Sequence, residues 1–195
     1  MRESEEQNLM NLYFDTEFTG LHAGTTLLSI GVVSEEGKKF YAEFSDYDES
    51  KCDDWIKENV IKHTILAGND TLAARLGGDS ETTVVLGSKA DIQYEFGEWL
   101  KKFDSVQFVS DVCHYDMVLM IDIFGGAFDL PKNVSAVCHD INQDIARHYG
   151  ISEREAFDKS REGIVSELCG NFIAGDKHNA LYDAEVIKAI YEEVI

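Results

Sequence analysis

The sequence predicts an α/β protein built on a mixed five-stranded sheet with helices on both faces. The first observation is a run of three strand-like segments, 12–18, 25–34 and 39–44, whose short connections leave no room for a crossover helix. Strands joined in this way form an antiparallel meander. The second observation is that helical and strand-like patterns alternate from residue 53 to the C-terminus. Such alternation adds parallel strands to a sheet and covers both of its faces.

The meander has a local signal at each step. Aromatic and apolar residues fill the first segment, and the Thr19-Gly20 pair that follows it is typical of a turn. The second segment alternates well enough for a strand, and Glu35-Glu36-Gly37 predicts a tight turn into the third. Because apolar residues flank the first segment on both sides, we expect it to be a central strand of the sheet.

The middle of the chain has weaker signals. Asp53 is well placed to begin a helix over 53–61, because acidic residues are favoured at helix N-termini. Four glycines interrupt residues 63–90, so we expect a variable loop there that carries at most one short strand, at 82–86. Apolar residues at helical spacing then predict a helix over 90–103.

The C-terminal half alternates between strand and helix patterns, with glycine, serine and acidic residues at the expected boundaries. The predicted elements are a strand at 106–109, a helix ended by Gly125-Gly126, a strand at 134–138, a helix over 141–149 capped by Asp140 and ended by Gly150, a helix over 152–159, and a last helix over 180–195.

Composition is that of a globular protein of ordinary size. The chain has 195 residues, 44% of them hydrophobic, and we expect a single domain over residues 11–195. Residues 1–10 form an acidic leader that we expect to lie outside the fold. No apolar run reaches the roughly 18 residues of a membrane span. The N-terminus has no signal-peptide pattern, and the four cysteines form no Cys-x-x-Cys pair, so we expect a cytoplasmic protein with reduced thiols.

The net charge of −20 limits how the chain can bind nucleic acid. Affinity for phosphate backbones comes mostly from lysine and arginine, and an acidic surface repels them. A polyanionic substrate must therefore be held locally, by metal ions and a few cationic side chains. This argues for a short substrate or a strand end over a long wrapped duplex.

Asp15 and Glu17 are the acids on which the functional prediction depends. They lie two residues apart on a predicted strand, so both side chains point to the same face of the sheet. Two like charges held that close are unfavourable unless one is protonated or a cation lies between them. A solvated edge strand would also explain the pair, but the apolar neighbours favour a central strand. Mg²⁺ prefers carboxylate oxygens, so the pattern predicts a metal site.

Two other places in the sequence can complete such a site. After the strand at 106–109, Asp111 is placed as a helix cap, whereas Asp116 lies among apolar residues where solvation does not explain an acid. We favour Asp116 as the functional acid, with Asp111 as its rival. At the start of the last helix stand His178 and Asp183. Five helical residues rotate by about 500°, so His178 can join Asp183 only if the preceding loop carries it.

Three motifs together resemble those of the DEDDh 3′-to-5′ exonucleases. They are Phe-Asp-Thr-Glu-Phe-Thr-Gly-Leu at 14–21, Tyr115-Asp116, and His-Asn-Ala-Leu-Tyr-Asp-Ala at 178–184. The resemblance covers residues 11 to 195, except for a poorly matched 63–90, and is nearest to the ribonuclease T-like and oligoribonuclease-like exoribonucleases. It implies a ribonuclease-H-like fold. The chain departs from the pattern in its second motif, where Phe-Asp is commoner, and in lacking a basic surface cluster.

The resemblance also implies an activity. The chain would be a metal-dependent 3′-to-5′ exonuclease that favours RNA and releases nucleoside 5′-monophosphates from short single strands or 3′ overhangs. It would use two Mg²⁺ ions, for which Mn²⁺ can substitute, and the likeness further implies a homodimer. The implied residues are metal ligands Asp15, Glu17, Asp116 and Asp183, the general base His178, and substrate contacts Phe18, Leu21 and Tyr115.

Three alternatives stay open at this point. The exonuclease could act on DNA, because no residue can be assigned from sequence to a contact with the ribose 2′-hydroxyl. A ribonuclease-H or resolvase-type endonuclease shares the scaffold, although it would lack a histidine five residues before the last acid. A non-catalytic module that binds metal or nucleic acid is the third alternative, and the complete set of acids with a histidine argues against it.

Overall fold

The structure, a computed structural model, describes residues 9–170 and 173–195. Most of the predicted leader, residues 1–8, lies outside the described residues. One six-stranded sheet runs through the molecule in the order β4-β3-β2-β1-β5-β6. Its strands are β1 Met10–Phe18, β2 Leu27–Ser34, β3 Lys39–Phe44, β4 Thr82–Gly87, β5 Val106–Ser110 and β6 Val134–Asp140. The first three strands pair antiparallel, and the other pairs are parallel.

Eight α-helices accompany this sheet within the described residues. Among them no helix is long and apolar enough to cross a membrane. The helices are α1 Asp54–Asn59, α2 Asp70–Gly77, α3 Lys89–Leu100, α4 His114–Ile123, α5 Asn142–Tyr149, α6 Glu153–Phe157, α7 Arg161–Leu168 and α8 Ala180–Val194.

The predicted α/β class and the antiparallel meander are confirmed, but the sheet has six strands, so the expectation of five is wrong. The additional strand is β4, which pairs in parallel with β3 from Lys39–Thr82 to Phe44–Gly87. Its side chains are half-buried or exposed, so it carries no strong apolar alternation. The segment 63–90 is therefore not a loop throughout, since it also holds α2, whose Leu72 and Leu76 are buried. Helix α7 was not predicted either.

Side chains alternate between the two faces of the sheet along β1, and this alternation determines which helices the acids face. Leu12 and Phe14 pack into the apolar cluster formed with α3 and α4. Tyr13 points to the other face and joins the cluster formed with α5, α7 and α8. Since side chains alternate along a strand, Asp15 and Glu17 share the face of Tyr13 and point toward α8.

Gly31 lets the start of α8 lie directly on the sheet. It pairs with Asp15 across the β1–β2 ladder, so it marks the point on β2 that is level with the acids. A Cβ atom at Gly31 would lie 2.3 Å from the backbone carbon of Ala180 and from the backbone nitrogen of Leu181. Both atoms belong to the helix backbone and cannot rotate away. A hydrogen atom in place of a side chain is therefore required for this helix to reach the acids.

Gly31→Ala should destabilise the protein by overpacking this contact, on the order of 1–3 kcal/mol. Gly77→Ala is the matched control, because a Cβ there meets nothing within 4 Å. Alanine is also the better helix former, so the control should be neutral or slightly stabilising. Urea denaturation would measure both free energies of unfolding. Equal values for the two variants would contradict the tight contact at Gly31.

Candidate active site

The predicted acids meet in a cleft of about 480 Å³ at the carboxyl ends of β1 and β5. These neighbouring strands are parallel, so both chains leave the sheet at the same edge. Ligand sites of α/β proteins form at such edges because the loops that follow the strands diverge there. The cleft lining contains all of the predicted site residues: Asp15, Glu17, Phe18, Leu21, Tyr115, Asp116, His178 and Asp183.

Three carboxylates come together most closely. One oxygen from each of Asp15, Glu17 and Asp183 can be chosen so that all three lie within 4.8 Å of one another. The first two are half-buried on β1, and the third lies in the first turn of α8. Three hard oxygen donors at this separation suit a divalent cation such as Mg²⁺. These residues therefore fit the metal that the sequence predicts.

The loop before α8 carries His178 to the same place, as the rotation argument requires. Asn179 is the N-cap of α8, and its side chain accepts the backbone N–H of Tyr182. His178 lies just outside the helix with a left-handed backbone, φ 63°. Its own N–H donates to the Asp183 carboxylate at 2.9 Å. The five-residue spacing of the motif thus reflects a hydrogen bond that folds the loop back over the first helical turn.

Asp116 reaches the cleft from the first turn of α4, on the other face of the sheet. Its carboxylate accepts the backbone N–H and the hydroxyl of Thr16, at 3.1 and 2.5 Å, and the hydroxyl of Ser110 at 3.2 Å. Thr16 lies on β1 between Asp15 and Glu17, so these bonds fix Asp116 to the strand that carries the other acids. Asp116 is only 6% exposed, which agrees with its apolar sequence context.

Asp111 has a different role, and the prediction that it caps a helix is wrong. The N-cap of α4 is Cys113, which makes no side-chain cap hydrogen bond. The Asp111 carboxylate is instead bound by Arg161, through Nε at 2.5 Å and Nη2 at 2.8 Å. The intervening Val112 has a left-handed backbone with φ 59°. A β-branched residue rarely adopts it, so the turn is strained by its surroundings.

Burial and mutual repulsion favour protonation of the acids in the absence of metal. Burial raises the pKa of Asp116 to about 6, even though Thr16 and Ser110 donate to its charged form. Burial also raises the pKa of Asp183 to about 7, against the opposing effects of the His178 N–H and Lys177.

The pair on β1 is affected most. Burial, followed by repulsion from Asp183 and Asp116, raises the pKa of Glu17 to about 8. Burial and repulsion from Asp116, Asp183 and Glu17 raise the pKa of Asp15 well above its usual value. A cation bound among these oxygens would reverse the balance and favour the ionised forms.

His178 is held near the acids in a form that can accept a proton. Its Nδ1 lies 4.0 Å from Glu17 Oε1, and its ring makes an edge contact with Trp55 at 5.1 Å between centroids. Partial burial, together with the neighbouring Lys177 ammonium, lowers the pKa of His178 below its usual 6.5. The imidazole is therefore mostly neutral at pH 7, which a general base requires.

The three predicted substrate contacts form an apolar part of the lining. Phe18 and Tyr115 stack with their ring centroids 5.4 Å apart and an interplanar angle of 18°. Leu21 is 77% exposed and so is not a core residue. Their roles toward a substrate stay predictions.

Several residues that line the cleft were not predicted from the sequence. Phe157, Lys159 and Arg161 line the cleft from α6, α7 and their connection, and Lys177 lines it next to His178. Thr16 was visible only as a spacer between two acids. Lys177 has a local signal, because it adjoins the predicted base. The others have none, because contacts between distant parts of the chain place them there.

Comparison with known proteins identifies relatives of the whole fold. The sequence model of the protein family called the Rv2179c-like 3′-5′ exoribonuclease domain matches residues 10–195. The 3′-5′ exoribonuclease Rv2179c of Mycobacterium tuberculosis H37Rv is 24% identical to this chain over 136 residues, which cover 69% of this chain and 73% of the relative.

Solved structures share the architecture at lower sequence identity. The nuclease domain of 3′hExo, a DEDDh family member bound to rAMP, matches with a TM-score of 0.63 and 11% identity, covering 93% of this chain and 89% of that chain. A 3′-exonuclease in a structure of 3′-end recognition of a histone mRNA stem-loop matches with a TM-score of 0.62 and 12% identity, covering 93% and 62%. At these identities the likeness establishes the ribonuclease-H-like fold.

The raised carboxylate pKa values predict that the metal-free protein loses stability as pH rises. Asp116, Asp183 and Glu17 titrate at about 6, 7 and 8 in the folded state, against about 4 in an unfolded chain. Between these values the folded state binds more protons, so the free energy of unfolding falls with increasing pH. In EDTA, the Tm measured by calorimetry should fall from pH 5.5 to pH 8, and Mg²⁺ should raise it again at pH 8.

Asp15→Asn should weaken this pH dependence and raise the Tm in EDTA at pH 8, because it removes a buried acid that at this pH is either charged beside its neighbours or held protonated at a cost in free energy. Asp104→Asn is the control, since Asp104 is exposed and does not line the cleft. If the two variants showed the same Tm at every pH, repulsion among the site acids would not be the cause.

Proposed function

This chain belongs to the Rv2179c-like 3′-5′ exoribonuclease family, and we propose that it uses two Mg²⁺ ions to remove single nucleotides from the 3′ end of short RNA. It is a metal-dependent 3′-5′ exoribonuclease. The number and identity of the ions, the length of the substrate and the roles of individual residues are the proposal. The observation that carries it is the cluster of Asp15, Glu17 and Asp183 within 4.8 Å, beside a histidine that is fixed by Asp183.

The proposed ligands divide between two ions. Asp15, Glu17 and Asp183 would hold the first, and Asp15 and Asp116 would hold the second. The bound ions would supply positive charge against the scissile phosphate and would make a nearby water more acidic. The hydrogen bonds from Thr16 and Ser110 orient Asp116 before any ion arrives. Because Asp116 is already oriented, metal binding would cost little of its side-chain conformational entropy.

His178 would act as the general base. As water attacks the phosphorus atom, one of its protons passes to the neutral imidazole, the bond from phosphorus to the 3′ oxygen of the preceding nucleotide breaks, and that oxygen takes up a proton from solvent. The products are a nucleoside 5′-monophosphate and an RNA shortened by one nucleotide with a new 3′-hydroxyl. The left-handed backbone at His178 and its hydrogen bond to Asp183 support this role, because they hold the ring over the carboxylates.

RNA is the proposed substrate because the family and its curated M. tuberculosis member are described as exoribonucleases. One neighbouring structure is described as recognising an mRNA stem-loop by its 3′ end. The net charge of −20 supports a short substrate, since a long RNA would extend beyond the cleft along a chain in which acidic residues outnumber lysine and arginine by 37 to 17. A homodimer stays a prediction, which light scattering would test.

A 5′-labelled hexaribonucleotide tests the function directly. With Mg²⁺ the label should pass through every shorter length, each step releasing one mononucleotide, and EDTA should stop the reaction. Asp116→Asn should lower the rate about 100-fold or more, as for loss of a metal ligand. Asp122→Asn, the same change on the exposed part of α4, should not. Internal fragments would indicate an endonuclease, intact RNA a binding module, and faster cleavage of the matched DNA a DNA-directed enzyme.

His178→Ala should slow single-turnover cleavage by about 10²- to 10⁴-fold. Because the pKa of His178 is lowered below 6.5, the wild-type rate should rise with pH and level off near neutrality. The variant should lack this rise while it still binds RNA and metal, since no ligand is lost. If both proteins gave the same pH–rate profile, His178 would only position the attacking water.

A further inference from the structure

An acidic protein that binds RNA must present cations somewhere, and three basic side chains line the cleft in the described part of the chain. They are Lys159, Arg161 and Lys177. Lys159 lies in the connection between α6 and α7, residues 158–160, and Arg161 is the first residue of α7. Whether each one can bind a phosphate depends on what its nitrogen atoms already contact.

Arg161 has no donor left for a phosphate. A guanidinium group has five N–H donors, and all five are used. Nε and one Nη2 donor bind both oxygens of Asp111, and the other Nη2 donor binds the Asn142 side-chain oxygen at 2.7 Å. The two Nη1 donors bind the backbone oxygens of Ala156 at 2.8 Å and Lys159 at 2.9 Å. Arg161 therefore fixes the α6–α7 connection to the turn after β5.

The two lysines differ in how far their ammonium groups are engaged. Lys159 Nζ lies 4.2 Å from the centroid of the Tyr149 ring, a cation–π contact. Lys177 Nζ has a 3.8 Å contact with Glu162, and its side chain is 64% exposed. An exposed ion pair at that distance is worth little. Lys177 is thus the cation of this lining that a phosphate can recruit at the smallest loss of existing contacts.

Phe157 adds an aromatic surface to the same wall. It ends α6, lines the cleft, and is 57% exposed. Burial in the core does not explain it, and the Arg161 bond to Ala156 holds the backbone beside it. Exposed aromatic side chains next to a cation are the usual means of holding single-stranded nucleic acid, because every base has a face on which they can stack.

We propose that the end of α6, the α6–α7 connection and Lys177 together form the RNA-holding wall of this cleft. Phe157 stacks on a base next to the scissile phosphate, and Lys177 binds a phosphate of the same strand. Arg161 is a positioning residue that fixes the wall to Asp111. The inference rests on the proposed exoribonuclease function and explains how a chain with a net charge of −20 holds a polyanion.

Steady-state kinetics on a hexaribonucleotide at several salt concentrations tests the wall. Phe157→Ala should raise KM about 5- to 150-fold, the range expected for one lost stacking contact. Lys177→Gln should raise KM and reduce the slope of log(kcat/KM) against log salt concentration by about 0.7, the value for one phosphate contact on a single strand.

Matched controls make the same changes away from the cleft. Phe128 is fully exposed and Lys101 pairs with Glu98 at the end of α3, and neither lines the cleft. Phe128→Ala and Lys101→Gln should keep the wild-type KM and salt slope. If Phe157→Ala and Lys177→Gln behaved like these controls, the proposed wall would be wrong.

Arg161→Lys tests the positioning role, because lysine keeps the charge but cannot make the forked contacts. KM should rise at least 5-fold with a smaller change in kcat and an unchanged salt slope. Asp111→Asn weakens the same contact between Asp111 and Arg161 with a smaller change of side chain, and it replaces Arg161→Lys as the test if that variant does not fold. A wild-type KM in the folded variant would remove Arg161 from this role.

Failure of the proposed function is distinguishable from failure of the wall. If the wild-type chain released no nucleotide from RNA, the exoribonuclease proposal would fail, and the RNA would remain intact. Fluorescence anisotropy in the same Mg²⁺ buffer would then measure RNA binding by the wild type, Phe157→Ala, Lys177→Gln and the two controls. Weaker binding by the two wall variants alone would support the wall, and equal binding would overturn it.

Discussion

Repulsion among four carboxylates at one edge of the sheet is the constraint on which the rest of the structure depends. Burial and neighbouring charges raise the pKa of each of them, so a metal-free chain keeps them together only against a cost in free energy. Sites that bind cations commonly carry such a cost, because the arrangement that suits the ligand is unfavourable without it. Hydrogen bonds and close packing elsewhere must therefore hold the acids in place.

The start of α8 shows how that restraint is built. Gly31 allows the helix backbone to lie against β2, and Asn179 caps the helix while donating to the Tyr41 hydroxyl at 3.3 Å. Tyr41 in turn donates to the buried Glu43 at 2.7 Å. A glycine contact and a buried polar chain thus fix the register of α8 on the sheet. Since Asp183 is in its first turn, the same contacts fix the distance between Asp183 and the strand that bears Asp15.

The parts that could be predicted from sequence are those with local causes. The meander follows from apolar alternation and a glycine turn, and the convergence of Asp15 with Glu17 follows from strand geometry alone. Helix α7 was not predicted. A short strand at 82–86 is expected from sequence only within a variable loop, and its place in the sheet could not be predicted, because β4 is only half-buried and depends on pairing with β3. The partner of Asp111 was invisible for a similar reason, since Arg161 lies 50 residues further along the chain. Lacking that partner, a helix cap was the simplest local explanation.

The large negative charge and the proposed substrate are compatible because electrostatic forces in solution are local. At physiological salt the screening length is about 8 Å, which is shorter than the distance across a domain of this size. A phosphate in the cleft therefore responds to the groups that line it and only weakly to acids on remote surfaces. There the proposed two divalent ions would offset the four carboxylates, and Lys177 would add a positive charge. The chain as a whole carries 37 acidic residues against 17 lysines and arginines, so the same charge distribution that permits binding of a strand end opposes binding of a long strand.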